Sequence, residues 1–69
     1  MSITESWQLD LQWLLANAFV GHGGIKALAD RLRVNYQTTW AWTKGLRRPD
    51  YDNRKALRMV RQIHEGGER

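Results

Sequence analysis

The hydrophobic positions between residues 25 and 45 follow the spacing of two short helices joined by a tight turn. Most of them recur every three or four residues, one follows a break, and one lies near the end of the second helical run. These positions are Ile25, Leu28, Ala29, Leu32, Val34 and Trp42. A small alanine lets two helix backbones approach, and an apolar residue after the turn packs into the corner. Ala29 and Val34 fit these roles, so the pattern predicts a helix-turn-helix over residues 24–45.

The first part of the chain predicts a longer amphipathic helix over residues 2–18. Ser2 and Glu5 have the separation of a capping box, so we expect this helix to begin within residues 2–5. One face of the helix is apolar and is expected to cover the helix-turn-helix. That face holds Ile3, Trp7, Leu11, Leu14, Leu15 and Ala18.

A second apolar stripe lies on the opposite side of the same predicted helix. It holds Leu9, Trp13, Ala16 and Val20. A monomer would leave this stripe exposed, and exposed apolar patches mark contact sites. The stripe therefore predicts a homodimer or partner interface, unless the C-terminal helix folds back and covers it.

The run from Gly21 to Gly24 is expected to end the first helix, because glycine readily takes the left-handed conformation that caps a helix. It differs from a phosphate-binding loop, which requires a preceding strand and a Gly-Lys-Ser/Thr ending. His22 is therefore interpreted as a solvated loop residue rather than a catalytic one.

Capping residues and a proline mark the helix boundaries in the rest of the chain. Asn35 is placed to cap the second helix of the motif, and Gly45 is expected to end it. Pro49 prevents a helix from continuing through the next loop, after which Asp50 or Asp52 can cap a last helix.

That last helix is predicted over residues 53–64, with a tail over residues 65–69. Its inner face is expected to hold Ala56, Leu57, Val60, Ile63 and His64. Its outer face is expected to be a basic stripe of Arg54, Arg58 and Arg61.

Length and composition fit one domain over residues 1–69, with a core made dense by four Trp, two Tyr and one Phe. The absence of Cys excludes disulfides and thiolate metal sites, and we expect neither a metal nor a cofactor. The apolar runs are too short for a membrane span, and the start has no leader pattern. We therefore expect a cytoplasmic protein that makes no membrane contact.

Charge is distributed unevenly along the chain. Residues 1–24 carry two acidic side chains and no Lys or Arg, whereas residues 25–69 carry all eleven Lys and Arg against five acidic side chains. The net charges are −2 and +6, so the basic part is the part with the helix-turn-helix. A polyanion such as a phosphate backbone is the partner that this asymmetry favours, with solubility alone as the alternative.

The run LADRLRVNYQTTWAWTKGLRRP, at residues 28–49, resembles the Cro and phage-repressor (XRE-like) helix-turn-helix proteins. That family typically has Leu-Ala, a hydrophobic residue after the turn, a helix ending in Trp-x-x-Gly, and a basic loop with proline. The corresponding residues here are Leu28, Ala29, Val34, Trp42, Gly45, Arg47, Arg48 and Pro49. The resemblance covers about residues 25–60 and implies an all-α, lambda-repressor-like domain of four helices, or five.

Two positions depart from the family pattern. Arg33 occupies the turn position usually held by glycine, so it must take a left-handed conformation at some cost or change the turn. Thr39 replaces the buried Ile or Val expected midway along the second helix, which leaves open a rotated core or one supplemented by Trp40.

The resemblance implies that the second helix enters the major groove of an operator, with a homodimer expected at least on DNA. The implied base contacts are Tyr36, Gln37, Thr38, Trp40 and Ala41. The implied phosphate contacts are Lys26, Asn35, Lys44, Arg47 and Arg48. Gln37 has the clearest chemistry, because an amide can pair bidentately with adenine. For Trp40, core and groove positions stay open.

Scattered acidic residues and two isolated histidines give no pattern typical of an enzyme. The predicted function is a sequence-specific, double-stranded DNA-binding transcriptional regulator, of the phage or prophage Cro-like type, which represses by occluding a promoter. One alternative is a small phage or bacterial accessory protein that inhibits another protein through its Trp-rich surface. Another is a DNA-binding accessory factor for recombination or packaging.

Overall fold

The computed structural model describes residues 5–66, which form four helices and no β-strand. Helix α1 spans Ser6–Asn17, α2 Gly24–Leu32, α3 Tyr36–Lys44 and α4 Tyr51–Glu65. Helix α1 packs mainly against α4, and α2 packs mainly against α3. A small all-α domain with a central helix-turn-helix is therefore confirmed. No helix in this part of the chain is long and apolar enough to cross a membrane.

All four helices contribute to one hydrophobic core. Its buried members are Trp7, Leu11, Leu14, Leu28, Trp42, Leu57 and Val60. Leu15, Ala18, Leu32 and Val34 are half-buried and pack against these residues. The predicted inner face of α1 is thus confirmed, except for Ile3, which lies outside the described residues.

Helix α1 begins at Ser6, just after the predicted window, because Glu5 has extended backbone with φ −82° and ψ 156°. A capping box does form, but between Glu5 and Gln8: each side chain accepts a hydrogen bond from the other residue's backbone N–H. The proposed cap at Ser2 lies outside the described residues. The bond from the Glu5 N–H to Gln8 Oε1 is 2.7 Å long.

The glycine-rich run does not end α1, contrary to the prediction. The helix ends at Asn17, where the N–H groups of Ala18 and Phe19 both donate to the Leu14 carbonyl, at 2.9 and 2.7 Å. Gly24 instead allows a close approach between chain segments, because a Cβ there would collide with the carbonyl oxygen of Phe19.

Arg33 takes the left-handed conformation, with φ 61° and ψ 41°, and is the one non-glycine residue with positive φ among residues 5–66. Its N–H donates to the carbonyls of Ala29 and Asp30, and the Val34 N–H donates to Ala29 at 3.0 Å. These bonds close the end of α2 and form the turn of the motif. Arg33 therefore makes this turn at the conformational cost that a side chain brings to the left-handed region.

Arg33→Gly is expected to raise the free energy of unfolding by about 0.5–1 kcal/mol, because relief of the left-handed strain outweighs the added entropy of the unfolded chain. Arg31→Gly is the matched control, since Arg31 is also exposed but helical. It should lower the same free energy by about 1 kcal/mol. Urea denaturation followed by circular dichroism measures both, and the same sign for the two variants would contradict the strain at Arg33.

Thr39 itself fills the core position midway along α3. It is fully buried, and its hydroxyl donates to the carbonyl of Asn35 at 3.4 Å. The hydroxyl is thereby satisfied within the helix. Trp40 does not supplement the core, because it is 39% exposed on the other side of α3.

The predicted outer basic stripe of α4 is wrong. Arg61 donates to Asp10 at 3.1 Å and to Glu65 at 3.1 Å, and Arg58 lies 3.7 Å from Asp10. Burial lowers the pKa of Arg61, but its bonds to the two carboxylates outweigh this effect and the pKa is raised. Arg54 turns toward the preceding loop and donates to the Pro49 carbonyl at 2.9 Å. Arg58 and Arg61 turn toward α1 because Asp10 is buried and requires charged partners.

The far end of α4 also departs from the prediction. Ile63, assigned to the inner face, is 54% exposed. His64 is exposed, but its ring stands edge-on to Phe19 at 5.5 Å between centroids. The helix extends beyond both predicted bounds, and Asp50 caps it by accepting from the Asn53 N–H at 2.9 Å.

The second apolar stripe of α1 is divided in the structure. Trp13 is half-buried, and the guanidinium of Arg61 lies over its ring at 5.4 Å, so α4 covers this member. Leu9 and Ala16 are exposed on the helix, and Val20 is exposed beyond its end.

Candidate nucleic-acid interface

The outward face of α3 carries four exposed side chains: Tyr36, Gln37, Trp40 and Lys44. The opposite side of the helix is held in the core by Thr39 and Trp42. The helix begins where Asn35 accepts a bond from the Gln37 N–H at 2.7 Å, and it ends at Gly45, which has φ 77°. The predicted cap and end are both confirmed, so the start of α3 is fixed in place.

A concavity of about 320 Å³ lies along one flank of this face. It is lined by Asn35, Gln37, Thr38, Ala41 and Arg47. The structure thus brings three predicted base contacts together with two predicted phosphate contacts. Ala41 is only 9% exposed, so it offers the floor of this concavity rather than a projecting group.

A second concavity, of about 370 Å³, lies at the amino end of α2 and is bordered by α3 through Tyr36. Lys26 and the glycine-rich run from Gly21 to Gly24 form much of its lining. The Lys26 ammonium is paired with Asp30 at 2.9 Å, but both side chains are more than 60% exposed. Such exposed pairs contribute little stability, so Lys26 is free to exchange Asp30 for another anion.

Two hydrogen bonds connect the loop after α3 to other parts of the protein. Arg48 donates to Glu5 at 2.8 Å, while the Pro49 carbonyl accepts from Arg54. Arg48 was predicted as a phosphate contact; its side chain is 64% exposed beside Glu5, and this contact stays a prediction. Arg47, which directly precedes Arg48, has no carboxylate partner among the described residues and lines the concavity beside Gln37.

The exposure of Trp40 excludes the core position for its side chain, and the groove position stays a prediction. Trp40 lies one helical turn after Tyr36, which is 44% exposed, and one turn before Lys44. The Lys44 ammonium lies 5.7 Å from the centroid of the Trp40 ring, a cation–π distance. Lys44 therefore lies on the outward face of α3. A helical-wheel projection of residues 36–44 would have indicated this position.

The chemistry of the first concavity is that of hydrogen bonding and positive charge. Its lining offers two amides, one hydroxyl and one guanidinium, and no carboxylate. Within residues 5–66, no His, Cys, Asp and Glu side chains gather in a group that could hold a metal ion. The guanidinium can bind an anion while the amides and the hydroxyl form hydrogen bonds with the edge of a planar group.

Neither a protein-family model, a curated protein nor a solved structure matches this chain. Its function is accordingly inferred from the residues and geometry of α3 and the two concavities beside it.

Proposed function

We propose that this protein is a sequence-specific regulator that binds double-stranded DNA by inserting α3 into the major groove. The observation that carries the proposal is the arrangement around α3. An exposed face with hydrogen-bonding and aromatic side chains is flanked on one side by Arg47 and on the other by Lys26. A major groove, about 12 Å wide, admits one α-helix and has a phosphate backbone on each side.

The side chains divide between base contacts and phosphate contacts. Gln37 is exposed at the first turn of α3, where its amide can pair bidentately with an adenine edge. Thr38 and Tyr36 are nearby hydroxyl donors or acceptors. Arg47 and Lys26 fit phosphates, because they flank the helix and point charge away from the core.

The absence of charged side chains from one face of α1 supports binding by two copies. The exposed outer face of α1 includes Leu9 and Ala16 and no charged residue, while every Lys and Arg lies after residue 24. Two cationic copies can approach through an uncharged, partly apolar face without repulsion. Such a pair would bind half-sites about 10 base pairs apart and could repress by occluding a promoter, as the Cro-like resemblance implies.

Selection from a random pool of DNA duplexes tests this proposal. We expect one short motif to be enriched, present twice with centres about 10 base pairs apart. A single copy of the motif would contradict the pair while supporting sequence-specific binding. Failure to enrich any sequence would contradict DNA recognition and favour a function in binding another protein.

Gln37→Ala is expected to relax the base preference at one motif position, with a loss of about 1–3 kcal/mol of discrimination there. The reason is that removing the amide leaves that base edge without its partner. Gln62→Ala is the matched control, because Gln62 is an exposed glutamine on α4, and no Cα atom of α4 lies within 8 Å of a Cα atom of α3. Repeating the selection measures both, and an unchanged motif for Gln37→Ala would remove Gln37 from the base contacts.

A further inference from the structure

The strongest feature that hydrogen bonding to bases does not explain is the aromatic part of the outward face of α3. Tyr36 and Trp40 are 44% and 39% exposed, although large aromatic side chains usually bury most of their surface. They lie four residues apart, so they follow one line along the helix. Both lie on the same face as Gln37.

We infer that Tyr36 and Trp40 recognise the C5-methyl groups of pyrimidines, so that this protein selects thymine in the major groove. This inference rests on the proposed DNA-binding function. Thymine presents a methyl group in the major groove that cytosine lacks, and an apolar surface gains free energy by covering it. An amide such as Gln37 reads the adenine edge, and an adjacent aromatic ring reads the methyl group.

The surroundings of Trp40 favour a methyl group over a whole stacked base. More than half of the side chain is already covered, and Lys44 lies over the ring at 5.7 Å. The ring therefore offers only a limited apolar surface. Thr43 donates to the Trp40 carbonyl at 2.6 Å, within the same helical turn. Because its helix is already ordered, the Trp40 ring can contact a methyl group at a small cost in conformational entropy.

The position of Lys44 adds a second reason. Its ammonium is held near the ring by the cation–π interaction rather than by a carboxylate among residues 5–66. The Lys44 ammonium can contact a phosphate while the neighbouring Trp40 ring contacts a thymine methyl group. The pair thus provides one apolar contact and one electrostatic contact to neighbouring parts of a nucleotide.

Single-atom changes in the DNA test the inference on the unaltered protein. In the duplex obtained by selection, each thymine is replaced in turn by deoxyuridine, which lacks only the methyl group. We expect one or two positions at which affinity falls about fourfold, the effect of exposing one buried methyl group. Fluorescence anisotropy with the labelled duplex measures it.

Trp40→Ala links the effect to the ring. With this variant, the affinities for the thymine and uracil duplexes should become equal at one position. Gln37→Ala is the control and should bind more weakly overall, but keep the difference between thymine and uracil there.

Unchanged affinity at every uracil position, in a duplex that is bound sequence-specifically, would overturn the methyl recognition and leave the proposed function standing. A thymine preference that persists in Trp40→Ala and Tyr36→Ala would overturn the assignment to these rings. If no duplex is bound in preference to others, the proposed function fails, and this inference fails with it.

Discussion

Replacing Trp42 by alanine is expected to lower the free energy of unfolding by about 3–5 kcal/mol. Trp42 is 3% exposed and packs among the core residues that α1, α2 and α4 contribute. Alanine would remove most of that contact area and leave a cavity that a domain of four short helices cannot close. A domain of this size has only about 3–10 kcal/mol of total stability, so this loss amounts to about a third of it or more.

Trp40→Ala is the matched control, because it makes the same substitution two residues earlier in the same helix. Trp40 is 39% exposed and lies outside the buried cluster, so the expected loss is roughly 1–2 kcal/mol. Urea denaturation followed by far-ultraviolet circular dichroism compares the two without depending on tryptophan fluorescence. Equal losses would mean that the two sides of α3 are not divided into core and surface as described.

Helical periodicity was enough to predict the helix-turn-helix. Ala29 and Val34 lie where the pattern places them, and Asn35 and Gly45 cap and end α3 as their side-chain chemistry requires. These predictions depend on contacts between residues a few positions apart. Such contacts can be inferred from sequence, because their geometry is set by the local backbone.

Interactions between distant parts of the chain could not be inferred in this way. Arg58 and Arg61 have the pattern of a solvated stripe, yet they lie against Asp10, about fifty residues earlier, because α4 packs on α1. An isolated acidic residue in an apolar helix gave no indication of its partners. The pairing of Arg48 with Glu5 was missed for the same reason.

The candidate interface was only partly predictable. Gln37 and Arg47 were both assigned to DNA, and the structure places them in one concavity. The position of Tyr36 at the border of the second concavity, close to Lys26, depends on the angle between α2 and α3, which no local pattern specifies. The role of each residue stays a prediction until DNA binding is measured.

If α3 binds DNA as proposed, raising the salt concentration from 50 to 200 mM should weaken specific binding by roughly 10³-fold. The estimate assumes two copies with three phosphate contacts each, because each contact releases condensed counterions. Lys26, Lys44 and Arg47 are the three charges assumed in each copy. One bound copy would give a loss of only about 40-fold over the same range. The dependence of the dissociation constant on salt therefore counts the total number of phosphate contacts.

Arg47→Ala identifies which charges contribute to this dependence. With two copies bound, it should reduce the magnitude of the slope of log affinity against log salt by about 2, one contact per copy. Lys55→Ala removes the same charge from α4, no Cα atom of which lies within 8 Å of a Cα atom of α3, and should leave the slope unchanged. Equal slopes for both variants would place the phosphate backbone elsewhere on the protein. A contact with another protein through Trp side chains would show little salt dependence in either variant, because apolar contacts release few ions. One salt titration therefore distinguishes DNA binding from protein binding.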